Sequence, residues 1–454
     1  MIAILIAIFA ILFAILSIKN IKLAIAFTIF ALPTYLIRFS VFNIPMTALE
    51  VMILVLFAVF VVLKIRKKEK IELSNYKWLI LLFLIAATVA VFVSVEKVSA
   101  LGLWKAYFIE PILFFIVFIN EIKKKDLYLI INAIGLSALF VSIPAIVQKF
   151  WPIGIENGFW AAEETRRVVS WYGFPNAIGL YLAPIAVLFA GLAIAQASKL
   201  FSNKNKAEYL AFIFKVLVFT CCVLAIYFAK SEGALVAIFA GIVLLGLVLP
   251  YKKLRMMTII FAFLLFCIFA FIPSTSKLVD KLILRDTSGQ IRQQQWNETF
   301  KMLKDGKIIT GAGLSNYQNA IEPYHQEGVW LKDYNDPKWL DKIFNDEEYR
   351  SAHWQPVEIY MYPHNFILNF WTEIGLLGLL AFTLLLLKFI QSYKNVSKED
   401  RLIYKIFIVM LMTILIHGLV DVPYLKNDLS VFFWLMFGLS FLLVKSEHSN
   451  LDAG

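Results

Sequence analysis

The sequence predicts an all-α polytopic membrane protein: a bundle of 12 or 13 transmembrane helices, with a large, partly helical external loop capping its outer face. Three observations predict it. Of 454 residues, 61% are hydrophobic and only 17% are charged, where a soluble domain carries about 25% charged residues; mean hydropathy is +0.77. Apolar runs such as Trp78 to Ser94, Leu210 to Phe228 and Val431 to Val444 recur through the chain, and about 17–25 apolar residues span a bilayer core as a helix that satisfies its own backbone. Finally, the basic clusters Lys64 to Lys70, Lys123 to Lys125, Ser202 to Lys206, Tyr251 to Arg255 and Tyr393 to Arg401 fall on alternate links between those runs. That is the positive-inside pattern. The net charge of +11 therefore reports orientation and not nucleic-acid binding.

Taken in order, the expected spans are 1–17, 23–38, 46–65, 78–94, 99–120, 127–148, 176–196, 210–228, 233–250, 256–273, 364–388, 402–420 and 429–445. The first run lacks a basic n-region and an A-x-A-like cleavage site, which predicts a retained helix. Cys221, Cys222 and Cys267 sit inside apolar runs with no metal or disulfide spacing, as small packing residues do. With the basic links in the cytoplasm, the chain divides into a transmembrane bundle at 1–273, an external loop at 274–363, and a second bundle segment with a short cytoplasmic tail at 364–454. A shorter external loop lies at about 149–175.

The 274–363 loop is far longer than ordinary connections, and loops of that length are commonly functional or disordered. Trp296, Trp330, Trp339 and Trp354 argue for a packed cap, because aromatic residues supply the burial that disordered segments lack. Ile291, Trp296, Phe300 and Leu303 share one broad helical face.

Candidate chemistry concentrates where the chain re-enters the membrane. At about 100° per residue, with His364 at zero, Asn365 falls near 100°, Asn369 near 140°, Thr372 near 80° and Glu373 near 180°. Such a polar stripe in a span faces a bundle interior or watery cavity. A plain helix start, with Asn365 as its cap and His364 at the wet interface, accounts for the first residues equally well. External arginines are the second candidates: Arg166 and Arg167 on the shorter loop, and Arg292 at the start of the longer one. The arginine fork suits phosphate oxygens. Arg292 and Trp296 are four apart and are placed to stack on a helix. Gly311 to Gly313 ("GAG") lacks the context of a nucleotide-binding loop and reads as a turn. His325 and His353 show no metal-ligand spacing, while His417 with Asp421, and Glu110 beside Pro111, are polar sites in or near spans.

The order "GFPNAIGLYLAP", "AKSEGALVAIFAG", "SGQIRQQQWNETFKMLKDGKIITGAGLSNY", "PHNFILNFWTEIGLLGLL" and "HGLVDVPY" resembles the O-antigen ligase family, which includes O-antigen polymerases and related bacterial oligosaccharyltransferases. The resemblance runs from about residue 95 onward. It implies metal-independent glycosyl transfer from an undecaprenyl-diphosphate-linked glycan to an acceptor hydroxyl, on the outer side of the bacterial cytoplasmic membrane. It implies no cofactor, a glycan or glycolipid acceptor as partner, and no nucleic acid. His364 matches the family's general base, and Arg292 with Arg166 or Arg167 matches its diphosphate-binding arginines. Two departures are evident: Ser231-Glu232-Gly233 stands where many relatives read Ser-Arg-Gly, and Gln290 and Ile291 intervene before Arg292. A transporter or flippase of lipid-linked glycans is the alternative, with the same polar groups lining a pathway; inverted repeats, which many transporters carry, are not evident.

Overall fold

A computed structural model describes residues 2–41, 44–200, 206–271 and 276–445. The expected basic link Ser202 to Lys206 lies, apart from Lys206, outside the described residues, as do the chain after 445 and the side chain of Cys267. The membrane-embedded first part comprises α1 (Ile2–Lys19), α2 (Ile21–Phe30), the paired strands β1 (Arg38–Val41) and β2 (Ile44–Thr47), α3 (Ala48–Lys67), α4 (Lys77–Val93), α5 (Lys97–Trp104), α6 (Glu110–Glu121), α7 (Leu127–Phe150), the short α8 (Gly158–Ala161), α9 (Pro175–Leu200), α10 (Lys206–Phe228), α11 (Glu232–Val248) and α12 (Lys252–Phe271). The cap follows, with α13 (Ser276–Leu282), α14 (Thr287–Met302), α15 (Tyr317–Ile321), β3 (Gly328–Trp330), α16 (Trp339–Asn345), α17 (Glu347–Ala352) and β4 (Trp354–Pro356). The last helices are α18 (Phe366–Gln391), α19 (Arg401–Gly418) and α20 (Asn427–Lys445).

A helix stands at each expected span. Among the described residues, eight helical segments are long and apolar enough to cross a membrane, and four apolar helices are shorter. The second expected span, 23–38, is not one continuous helix. It ends at Phe30 and tightens into a 3-10 turn at Leu32–Leu36, because Pro33 can neither donate the next helical hydrogen bond nor accommodate the preceding carbonyl. The fifth, 99–120, carries a π-helical turn at Lys105–Ile109 between α5 and α6.

Caps and charges punctuate the helices as their sequences require. Thr47 and Glu50 form a reciprocal capping box on α3, whose last turn carries Lys64, Arg66 and Lys67. Asn20 turns the chain from α1 into α2 by accepting from the Leu23 amide. The central helices are α9 and α20, with 94% and 89% of their spanning windows buried, whereas α10 has only 28% and faces lipid. Lipid is as apolar as the helix surfaces, so helix association depends on close packing. Gly241 of α11 shows this: a methyl group there would meet the Thr413 hydroxyl of α19 at 2.6 Å and Val187 of α9 at 2.7 Å.

An aromatic cluster fills the bundle beneath the cap. Phe370 stacks on Phe382 at 4.0 Å and Tyr424 lies 5.2 Å from Phe370 and from Phe433. Trp434 Nε1 donates to the Tyr424 hydroxyl at 3.0 Å, which donates to the Tyr107 carbonyl at 2.9 Å. Aromatic pairs of this kind stabilise beyond their buried area and leave little rotational freedom.

The cap has its own small core of Met302, Leu303, Ala312, Tyr317, Ile321 and Leu368, with Trp296 and Trp371 packed against it. Its spine is α14. Gln290 and Gln294, one turn apart, hold the backbone at Lys332 and Gln326, and Glu298 accepts from the Gln326 amide. On another face, Gln295 and Thr299 turn toward Tyr362 and Tyr317. Strands β3 and β4 pair in register, with Trp330 and Trp354 rings 4.9 Å apart. The expected face of Ile291, Trp296, Phe300 and Leu303 is thus shared: Trp296 and Leu303 enter the cap core, and Phe300 meets Trp371 edge-on at 6.5 Å.

Candidate active site

Pro363, His364 and Asn365 form the approach to α18. Asn365 caps the helix: its Oδ1 accepts from the amides of Ile367 and Leu368 at 3.0 and 3.1 Å, and its Nδ2 donates to the Leu419 carbonyl at 3.1 Å. His364 precedes that cap and has φ +41°, so it lies off the helix and the helical-wheel angle measured from it does not apply. A non-glycine residue in the left-handed region costs about 1–3 kcal/mol and persists only where neighbours hold it. Here the rings of Tyr360 and Tyr362 each lie 5.0 Å from the imidazole. From the cap, Trp296 Nε1 donates to the Pro363 carbonyl at 2.8 Å and Gln295 Nε2 donates to the Tyr362 carbonyl at 3.0 Å.

These bonds settle the imidazole's proton. Because Gln295 uses its amide nitrogen on Tyr362, its Oε1 is the atom facing His364 Nδ1, at 3.2 Å. An amide oxygen only accepts, so Nδ1 carries the hydrogen and donates it. Nε2 then keeps its lone pair, the tautomer a general base needs.

Two charged groups act on this ring. Burial holds its pKa below the ordinary 6.5, Asp421 raises it and Arg292 lowers it. His417 lies near the end of α19, where the Leu419 carbonyl receives Asn365 Nδ2 and a methyl group on Gly418 would lie 2.8 Å from Phe366 of α18. Cap, α18 and α19 thus meet at one place. Arg292 Nη1 donates to the Ser288 hydroxyl at 2.7 Å, while its buried Nε has no partner. Buried donors are nearly always paired, so this guanidinium nitrogen is an exception that keeps a free N–H able to meet an anion. The expected stacking of Arg292 on Trp296 does not form; the guanidinium turns back one helical turn to the Ser288 hydroxyl.

The two loop arginines diverge. Arg166 spends its three bonds on its own loop, two to the Ala161 carbonyl and one to that of Lys149. Arg167 reaches the turn before α11, donating to the carbonyls of Ala229 and Lys230 at 2.9 and 3.3 Å and to Asn176 Oδ1 at 3.0 Å, with its guanidinium over Trp160. The helix that follows this turn adjoins His417: a methyl group on Gly233 would lie 3.4 Å from His417 Nε2.

Asn369, Thr372 and Glu373 are buried, and two of them meet the segment around "GAG". α18 breaks at Gly375, which has φ +70°. The chain at 308–315 docks into the break. Ala312 and Gly313 amides donate to the Thr372 carbonyl at 2.7 and 3.3 Å, the Leu376 amide donates to Ile309 at 3.0 Å, and Trp371 Nε1 donates to Ile308 at 2.6 Å. Glu373 accepts from the Ser315 amide at 2.8 Å. A methyl group on Gly311 would lie 2.5 Å from the carbonyls of Trp371 and Thr372. What reads in sequence as a turn is a loop keyed into the break of an apolar helix. Asn369 Oδ1 remains buried without a partner.

Sequence reasoning did not single out Gln295, Tyr360 and Tyr362, and held His417 and Asp421 as lesser polar sites. Gln295 carried a signal, lying three residues after Arg292 on the same helix and hence on its side. Among the described residues, no group of three or more His, Cys, Asp or Glu could hold a metal ion. Residues 217–383, from α10 through the cap into α18, match the family model described as O-antigen ligase. No curated protein matches the chain.

Proposed function

We propose, from the match of residues 217–383 to the O-antigen ligase family model, that this membrane protein transfers a glycan from a polyprenyl-diphosphate carrier, undecaprenyl diphosphate, to an acceptor hydroxyl at the outer face of the cytoplasmic membrane. The observation that carries the reading is His364, held by Gln295 as the Nδ1–H tautomer with Nε2 left free.

The acceptor hydroxyl attacks the donor's anomeric carbon and gives its proton to His364 Nε2. The new C–O bond forms as the bond to the diphosphate oxygen breaks, and both bonding electrons leave with the diphosphate. Arg292 and Arg167 meet the negative charge that gathers there; charge-assisted bonds to arginine are about twice as strong as neutral ones. Pre-placed donors aimed at developing charge are the largest catalytic contribution in many enzymes. Asn365 supports the site by fixing the start of α18, and Asn369, Thr372 and Glu373 support it from below.

The test is transfer by the purified protein carrying His364→Ala, with surface glycan scored in a strain lacking the native gene. General-base catalysis is worth roughly 10²–10⁴-fold, so transfer should fall at least a hundredfold while the protein accumulates normally. Undiminished transfer overturns the proposal.

A further inference from the structure

Beside the site, Glu232 at the first position of α11 meets Lys281 of the cap, with Oε1 2.5 Å from Nζ. Arg167 also lies in the field of this carboxylate. Lys230, two residues earlier, is exposed, and its carbonyl accepts from Arg167. The next residue, Gly233, packs on His417. One anion thus pairs with one cation and lies in the field of a second, beside His417. Both members of the ion pair are open to solvent, with side chains 46% and 61% exposed. Pairs this exposed hold weakly, so a competing anion of higher charge can part them. A diphosphate is such an anion.

Building on the transferase reading above, we propose that Glu232 stands in for a phosphate. The donor's diphosphate exchanges for its carboxylate on Lys281, which becomes a further substrate-binding cation beside Arg167. The exchange breaks no covalent bond; Glu232 swings into solvent and Lys281 passes from carboxylate to phosphate oxygen.

The two partners of an ordinary structural bridge give effects of one sign when either is removed. A stand-in gives opposite signs, because Lys281→Ala removes a ligand and Glu232→Gln removes a competitor. Binding is measured by calorimetry on the detergent-purified full-length chain, with inorganic diphosphate and, separately, a polyprenyl diphosphate. Lys281→Ala should weaken both about fivefold, the equivalent of a solvent-screened contact. Glu232→Gln should tighten both about threefold, and Lys281→Arg should restore wild-type affinity. A melting curve for each variant reports its folding. Shifts of the same sign, or no shift, overturn the stand-in while leaving the transferase reading intact. Wild-type protein that binds neither diphosphate, yet melts normally, overturns both. Tightening of the polyprenyl form alone would trace the effect to the lipid and count against the exchange.

Discussion

A base at His364 works only while Nε2 is unprotonated, so activity should fall as pH drops through the imidazole's own pKa. Burial is the largest influence on that value and places it below 6.5, with Asp421 raising it and Arg292 lowering it. The acid limb of the kcat/KM profile should therefore lie below about pH 6.5, the free imidazole value. Removing Asp421's charge with Asp421→Asn should move the limb to lower pH, and Arg292→Gln should move the limb of its residual activity to higher pH. Limbs that stay put in both variants would place the titrating group elsewhere. Gln295→Glu offers a further check. A carboxylate facing Nδ1–H favours the imidazolium, so the limb should rise. At this scale the sequence was informative about chemical type but not about partnership. The histidine and arginines stand out as costly polar groups near apolar runs. The Gln295 amide that fixes the tautomer is one of three consecutive glutamines, Gln293 to Gln295, and only the packing of α14 on residues 362–364 tells them apart.

The broken helix α18 carries its own expectations. At Gly375 a methyl group would lie 2.4 Å from the Ile309 carbonyl, on a backbone with φ +70°. Gly375→Ala should therefore destabilise by at least about 1–3 kcal/mol and lower the melting temperature of the purified protein along with its activity. Glu373→Ala strands the half-buried Ser315 amide, a loss of about 1 kcal/mol, the low end for an unmade bond. Glu373→Gln keeps an acceptor oxygen there and should recover most of the stability. Equal melting temperatures for the alanine and glutamine variants would refute the contact's importance. Apolar runs located the spans well, because burial in lipid demands them along most of a helix. They could not reveal the break, since Gly375 and Gly378 fit close helix packing equally well. Nor could they reveal that residues 308–315 dock into α18, because the bonds that hold them join backbone atoms far apart in sequence.

For the whole molecule, the alternation of basic links predicts that the cap faces outward and that the link after α3 faces the cytoplasm. In a background without native cysteines, Asp341→Cys should react with a membrane-impermeant thiol reagent in intact cells, and Lys70→Cys should react only after permeabilisation. The reverse result would invert the proposed orientation. Lipid extracts from a deletion strain would then name the acceptor class: long glycan left on the carrier indicates a ligase, and single repeat units indicate a polymerase. The cap's attachment bears on how such a substrate arrives. Its spine is tied to residues 362 and 363, and its 308–315 segment is knitted into α18 and, through the Leu314 amide and the Ala90 carbonyl, onto α4. A cover fastened at both ends does not swing open like a hatch. Lifting it would sever the contacts that hold the imidazole in place, so the transferase reading proposed above calls for a carrier that slips in sideways, in the plane of the bilayer.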